Sequence, residues 1–443
     1  MAELEPLYTS EEMRAAEAGH DVDVMMQRAG AAVAEELIRR FPDARRIALH
    51  AGGGANGGDG RIAADILRSR GRELVDDRPE VVIDALLGTG LKGAPREETS
   101  HLIDQINASG LPVIAVDVPS GVNASTGEVA GAAVQADVTV TMHGPKVGLA
   151  VAPGRFHAGE VVVADIGLEP AETTHRLVTG EILDRVPAKT GRDTKYTAGS
   201  VLVVGGSRGM SGAAALCARA AFRADAGYVA IAAPAESLPV LETLVLEAVK
   251  RPLEQVFDAV GRATALAIGP GLGRGDEAKA LVRRLLAETD IPAVVDADAL
   301  YELEPFERAA PTVLTPHSGE LGRLLGEESS GVDAHRLEAL ARAVERFGYV
   351  VLLKGADTLV GAPGEGVLVR DANTPGLATA GSGDVLTGIV AAFLSKGLDA
   401  RLATAAAAAA QARAASLAAR PRGLVASDVI EALPHALARE AAE

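Results

Sequence analysis

At 443 residues the chain exceeds what one hydrophobic core usually supports, so two domains are expected. The composition is globular, 48% hydrophobic and 23% charged, and 49 glycines without a Gly-X-Y period indicate tight turns, not a collagenous repeat. A formal net charge of −17, with no long run among the 43 basic residues, argues against nucleic acid or an anionic membrane as partner and for a small-molecule substrate. One cysteine, Cys217, cannot form an intramolecular disulfide; inside an Ala-rich helical stretch it reads as a small buried hydrophobe with no catalytic role. Met1 to Glu17 lacks the basic and apolar regions of a secretory signal, and no apolar run reaches the ~18 residues of a membrane span. A soluble, cytoplasmic protein is expected.

The chain opens with a helical pattern over Ser10 to Arg40, with Ser10 as its N-cap. The apolar run Arg46 to His50 leads into a glycine loop, Gly52 to Gly60, and a helix to Arg70: strand, glycine loop, helix. The logic repeats at Val81 to Asp84 before Gly88-Thr89-Gly90, and at Val113 to Asp117 before Pro119-Ser120-Gly121. Short apolar runs alternating with amphipathic helices predict a parallel, doubly wound sheet, whose ligands sit beyond the carboxyl ends of the strands, so Asp84 and Asp117 face one site.

Prolines and charge clusters between Leu168 and Arg192 mark a linker, 171–194. The pattern restarts with Val201 to Val204, a loop from Gly205 to Gly212 and an Ala-rich helix to Ala226. Further strands are expected at Ala265 to Ile268, Ala293 to Asp296, Thr312 to Leu314 and Val350 to Leu353. Ala405 to Ala419 reads as a packed helix with Gln411 and Arg413 on its wet face.

Taken together and in order, the loop with Asn56 and Asp59, the segment Asp84 to Leu91 and Asp117-Val118-Pro119-Ser120-Gly121 resemble the epimerase domain of the NAD(P)H-hydrate repair family. The resemblance implies that Ala55, Asn56, Gly57, Gly58 and Asp59, with Gly88, Thr89, Gly90, Leu91, Lys92, Gly93 and Ala94, cradle the dinucleotide. It also implies potassium on Asn56, Asp84 and Ser120, and substrate contact by Asp117, a carboxylate suited to general acid/base inversion at C6 of the hydrated ring. Lys146 either assists or is a lysine of an exposed turn. The chain departs from the family at Ala55, where the pattern has a second asparagine, and between Gly71 and Val81, which is short by roughly a strand and loop relative to a ~30-residue βαβ unit.

The second half carries Gly381-Ser382-Gly383-Asp384 before a helical run, Val385 to Leu394, which places backbone N–H groups at a helix N-terminus. With Lys195 to Ser200, Gly269-Pro270-Gly271-Leu272-Gly273, Thr315 to Glu320, Lys354 to Thr358 and Asn373 to Asp384, it resembles the dehydratase domain of the same family, a ribokinase-like fold. That resemblance implies adenine nucleotide on Lys354, Gly355, Ala356, Asp357, Thr358 and Gly383. It places the hydrate on Gly271, His317 and Asp384, with Asp384 the base that starts phosphoryl transfer. His317 could equally be a hydrogen-bonded loop residue, and Asp296 reads as either a ligand-orienting carboxylate or a helix cap.

The expectation is thus two doubly wound α/β domains: a Rossmann-like three-layer sandwich over 1–170, and a ribokinase-like domain over 195–443. The bifunctional activity implied is epimerisation of hydrated NADH and NADPH and nucleotide-dependent dehydration, with Mg2+, K+ and ADP or ATP, the donor being ADP. A homo-oligomer is expected. The alternative is a ribokinase-like vitamin or sugar kinase with an N-terminal nucleotide-binding module that lacks epimerase activity.

Overall fold

The structure, a computed structural model, describes residues 4–371, 374–418 and 422–438. It forms two compact units: one is Pro6–Leu177 with Asp333–Arg336, and the other holds Val178–Val332 and continues from Leu337.

In the first unit, the expected opening helix is two helices, α1 (Ser10–Glu17) and α2 (Val22–Arg40). Thr9, not Ser10, caps α1: its hydroxyl accepts from Glu12 N while the Glu12 side chain accepts from Thr9 N, a capping box that outcompetes the next serine. Gly19, at φ +87°, breaks the run, and Asp21 restarts it by accepting from Asp23 N and Val24 N. Strand β1 (Arg46–Ala51) leads through the glycine loop into α3 (Ala55–Ser69). There follow β2 (Glu73–Leu74), β3 (Val81–Ala85), α4 (Glu97–Ala108), β4 (Val113–Val116), β5 (Val138–Met142) and β6 (Glu160–Ala164). All pair in parallel, in the order β2-β1-β3-β4-β5-β6.

Alternate residues of β3 serve opposite faces. Val81 and Ile83 pack with Val33, Leu37, Ala63 and Leu67 of α2 and α3, while Val82 packs with Ile103 and Ile106 of α4. That is a three-layer sandwich. The short stretch after Gly71 survives as a two-residue edge strand, with Glu73 and Leu74 opposite Arg46 and Ile47, and the chain then returns directly to β3. Because β1 lies between β2 and β3, the strand order reverses at β1 and β3, and a ligand crevice belongs at their carboxyl ends.

The second unit begins before Lys195. Val178, Ile182, Leu183 and Val186 join its core, so the later part of the expected linker is packed structure. Its strands are β7 (Ser200–Val204), β8 (Tyr228–Ala233), β9 (Val249–Pro252), β10 (Ala265–Ile268), β11 (Ala293–Val295), β12 (Thr312–Leu314), β13 (Val350–Leu353), β14 (Thr358–Gly361) and β15 (Leu368–Arg370). They run in the order β15-β14-β13-β12-β11-β10-β7-β8-β9. Only β13–β14 and β14–β15 are antiparallel. One face is covered by α5 (Ser211–Arg223), α7 (Ser382–Ser395), α8 (Ala400–Leu417) and α9 (Ala426–Leu437), which bury Val201, Val203, Ile231 and Val294; α6 (Ser318–Leu325) follows β12. Gln411 is not on a wet face: it is buried, and its Nε2 donates to Ser382 O at 2.6 Å, tying α8 to the start of α7. Ala419 and Asn373, the outer ends of two expected segments, lie outside the described residues. No described helix is long and apolar enough to cross a membrane.

Candidate active sites

A cleft of about 790 Å³ opens at the carboxyl ends of β1 and β3. Its walls hold Ala55, Asn56, Asp59, Gly88 to Lys92, Ala94 and Asp117 from the expected set; Gly57, Gly58 and Gly93 stand behind or beside it. The glycines are steric necessities at two positions. A Cβ on Gly52 would lie 2.1 Å from Leu86 O, and one on Gly57 would lie 2.0 Å from Gly52 O. Ala55 is exposed on the cleft wall, whereas Asn56 points inward, so the missing amide is lost from the wall.

Behind the wall, Asp84 is fully buried, and its carboxylate accepts from Ser120 N at 2.8 Å and Ser120 Oγ at 2.6 Å. Burial pushes this carboxyl up to about 6. Asn56 Nδ2 donates to Leu87 O at 2.9 Å, but Asn56 Oδ1 is buried without a partner. An orphaned amide oxygen in the first turn of α3, in a segment hydrogen-bonded through Leu87 to Ser120 and so to Asp84, fits a monovalent cation.

Asp117 follows β4 with φ +64°, a left-handed backbone that aspartate tolerates at some cost. Its Oδ1 receives Lys146 Nζ at 2.5 Å, Met142 N at 3.1 Å and Thr141 Oγ1 at 3.2 Å. All three donors converge on one oxygen, leaving Oδ2 for a ligand. Lys146 is 1% exposed and also donates to Thr141 Oγ1 and Met142 O, so the exposed-turn reading is wrong: a full set of acceptors compensates the buried ammonium. Sequence reasoning missed Glu17, at the end of α1, and Met25 and Met26 of α2, which complete the cleft; nothing in a mixed helical stretch signals them.

In the second unit, too, a carboxylate directly follows a strand: Asp296 comes after β11, with both oxygens engaged. Lys354 Nζ lies 2.7 Å from Oδ1, and Thr387 Oγ1 donates to Oδ2 at 2.6 Å. It does not cap the following turn through its side chain. A methyl group on Gly383 would come within 3.4 Å of Lys354 Nζ and 3.9 Å of Asp296 Oδ2, so residues far apart in the chain meet here. Asp384, in the first turn of α7, is pushed up to about 7 by burial and then by Asp296, with Lys354 pulling the other way. Burial alone would lower the Lys354 ammonium, but Asp296 and Glu320 outweigh it and the net shift is upward.

His317 is the hydrogen-bonded residue that one of its two expected readings describes. As N-cap of α6 its Nδ1 accepts from Gly319 N at 3.0 Å and Glu320 N at 3.3 Å, which leaves Nε2 as the protonated nitrogen on a side chain 54% exposed. Gly271 has φ +60°, and a Cβ there would press on Met210 O at 2.6 Å. Asp357 is buried, while Gly355 and Ala356 form the exposed turn between β13 and β14. Cys217 is buried, and burial pushes its thiol well up, as an inert core residue requires.

Residues 201–435 match the sequence profile described as NAD(P)H-hydrate dehydratase. Residues 22–76 and 72–148 match the profile described as YjeF-related protein N-terminus, in two stretches that meet at the truncated edge strand. Bifunctional NAD(P)H-hydrate repair enzymes are 36% identical in Moorella thermoacetica, covering 94% of this chain and 92% of that one, and 35% identical in Coxiella burnetii, covering 97% and 98%. The Bacillus subtilis ADP/ATP-dependent NAD(P)H-hydrate dehydratase co-crystallised with ATP/Mg2+ is 27% identical, with a TM-score of 0.54 over 59% of this chain and 96% of that one. A ribokinase-like superfamily protein of Enterococcus faecalis, 24% identical, has the same fold at a TM-score of 0.54, over 61% of this chain and 97% of that one. With both halves matched and relatives aligned along nearly their whole length, the chain belongs to the bifunctional NAD(P)H-hydrate repair enzymes.

Proposed function

We propose that the first unit inverts C6 of hydrated NADH and NADPH through Asp117, and that the second unit returns the S epimer to the reduced cofactor at the expense of ADP. The observation that carries the reading is a pair of carboxyls, Asp117 at a strand end and held by Lys146, and Asp384 in the first turn of α7 beside the Asp296–Lys354 pair, each at a matched family motif.

In the first unit, Ala55 to Asp59 and Gly88 to Ala94 cradle the dinucleotide, and Asp117 Oδ2 addresses the ring hydroxyl. Potassium on Asn56, Asp84 and Ser120 would supply the partner that Asn56 Oδ1 lacks and fasten the first turn of α3 to the segment after β3. In the second unit, the Lys354 to Thr358 segment and Gly383 hold the adenine nucleotide, and Gly271, His317 and Asp384 hold the hydrate. The N-terminus of α7 stabilises the transferring phosphoryl group, while Asp384 takes the proton of the ring hydroxyl. Hydroxide is a poor leaving group; as phosphate it departs and the ring recovers its unsaturation. Both oxygens of Asp296 are already engaged, so Mg2+ would rest on nucleotide phosphates and water, as Mg2+ commonly does. The ion would neutralise phosphate charge there. We assign the enzyme to the cytoplasm as a homo-oligomer, with no nucleic-acid or membrane partner.

The test is the reappearance of reduced-nicotinamide absorbance from the S hydrate with ADP, or with ATP, and Mg2+. One phosphate should be released per ring restored, and Asp384→Asn should abolish both. A product that retains the phosphoryl group would instead favour a small-molecule kinase.

A further inference from the structure

The first unit's cleft holds a second buried carboxyl, Asp59, placed so far only in the wall that cradles the dinucleotide and given no part in the chemistry. Asp59 sits one turn into α3, 9% exposed and lining the cleft, and its Oδ1 is buried without a hydrogen-bond partner. An enclosed carboxyl oxygen with no partner is costly unless a ligand supplies one or the group holds a proton. Its surroundings favour the proton: burial first, then Asp117 and Glu17, push Asp59 up to about 7. Asp117 sits in the opposite setting, with the ammonium of Lys146 and two further donors on Oδ1. Lys92 and Arg96 also line the cleft, but Asp59's resolved electrostatic partners are both carboxyls. Two carboxyls in one cleft, one held by a cation and one enclosed among its own kind, is how acid and base roles are divided.

We propose that Asp59 is the proton donor that works with Asp117 as the base of the epimerase, an inference that rests on the epimerase reading of this unit. C6 of the hydrate carries both a hydroxyl and the ring nitrogen. Asp117 Oδ2 takes the hydroxyl proton and the oxygen closes to a carbonyl. The C6–N bond breaks, its electron pair passes to nitrogen, and Asp59 delivers a proton there. Rotation about C5–C6 turns the other carbonyl face to nitrogen. As nitrogen attacks, its proton returns to Asp59, and Asp117 gives its proton to the new hydroxyl. Atoms and charges balance in one turnover and both carboxyls end as they began, so no co-reactant is consumed. Glu17, whose own carboxyl is raised by burial and by Asp117, adds the negative charge that keeps Asp59 protonated.

The full chain is given the R hydrate without nucleotide, so that dehydration is silent, and the epimer ratio is followed by chromatography across neutral pH, corrected for the uncatalysed rate. Wild-type turnover should fall as pH rises through about 7, where Asp59 loses its proton. Asp59→Asn should lower kcat by about 10²-fold or more with KM little changed and no alkaline fall, and Asp59→Glu should recover part of the rate. An Asp59→Asn enzyme with wild-type kcat overturns the proposal. So does a wild-type rate that is flat through neutrality, which decides the matter even if the variant does not fold. A wild type that leaves the R epimer untouched while dehydrating the S epimer overturns the epimerase reading, and the proposal with it.

Discussion

Lys354 Nζ donates to Asp296 Oδ1 at 2.7 Å while Thr387 Oγ1 takes the other oxygen, so one carboxylate joins the end of β11, the end of β13 and the second turn of α7. The pair has little contact with water, with side chains 20% and 2% exposed. Lys354→Met would leave Asp296 buried and uncompensated, at a cost of about 3–5 kcal/mol in the second unit's stability. The same change removes the cation that holds Asp384 down, so any residual dehydratase activity should need a higher pH. Denaturant melts and a pH–rate profile check both.

With Asp384 in the proposed role of base, dehydration should be slow in acid and rise as pH passes about 7. Its stability effect has the opposite sign. A carboxyl whose folded-state pKa is raised binds more protons folded than unfolded, so its contribution to stability falls as pH rises from the ordinary carboxyl range toward 7. Asp384→Asn should therefore melt higher than wild type above neutral pH, by roughly 4 kcal/mol at most, while having lost dehydration. A variant that is inactive and also less stable there would assign Asp384 a structural role.

Potassium on Asn56, Asp84 and Ser120, as proposed, requires Asp84 ionised, and burial, working against the hydrogen bonds from Ser120 and Leu86 N, holds that group at about 6. Potassium should therefore raise the melting temperature of the first unit at neutral pH, progressively less as pH falls through 6, and Asp84→Asn should remove the effect. Differential scanning calorimetry in potassium against tetramethylammonium salt separates a bound ion from ionic strength.

Gly388 lets α7 lie directly on α5: a Cβ there would stand 2.2 Å from Cys217 O and 2.9 Å from the Ala220 Cβ. Gly388→Ala should cost about 1–3 kcal/mol by forcing the helices apart, although alanine is the better helix former. Because α7 carries Asp384 at its start, dehydratase activity should fall with stability while epimerase activity is unchanged.

Much of this was legible in sequence because strand-end carboxylates and glycine loops are local signals. Asp84, Asp117 and the Gly52 to Gly60 loop announce a crevice before any fold is known. What stayed hidden is set by tertiary placement. Lys146 lies in a segment that reads as an exposed turn, yet packing folds its ammonium onto Asp117, Thr141 and Met142. Gln411, in an alanine helix, looks like the wet position until α7 supplies Ser382 O. The two-residue β2 is too short to show a period, the apolar run of β9 is interrupted by Lys250 and Arg251, and Glu17 lines its cleft from a helix end just before the turn at Gly19.

The most direct test of the two-activity account is recovery of reduced-nicotinamide absorbance from a mixture of both C6 epimers of hydrated NADH, with Mg2+, K+ and ADP, against an enzyme-free control for spontaneous epimerisation. A single chain with both activities gives complete recovery, fast for the S epimer and then paced by inversion of the R epimer. Recovery that halts at the S fraction would contradict it.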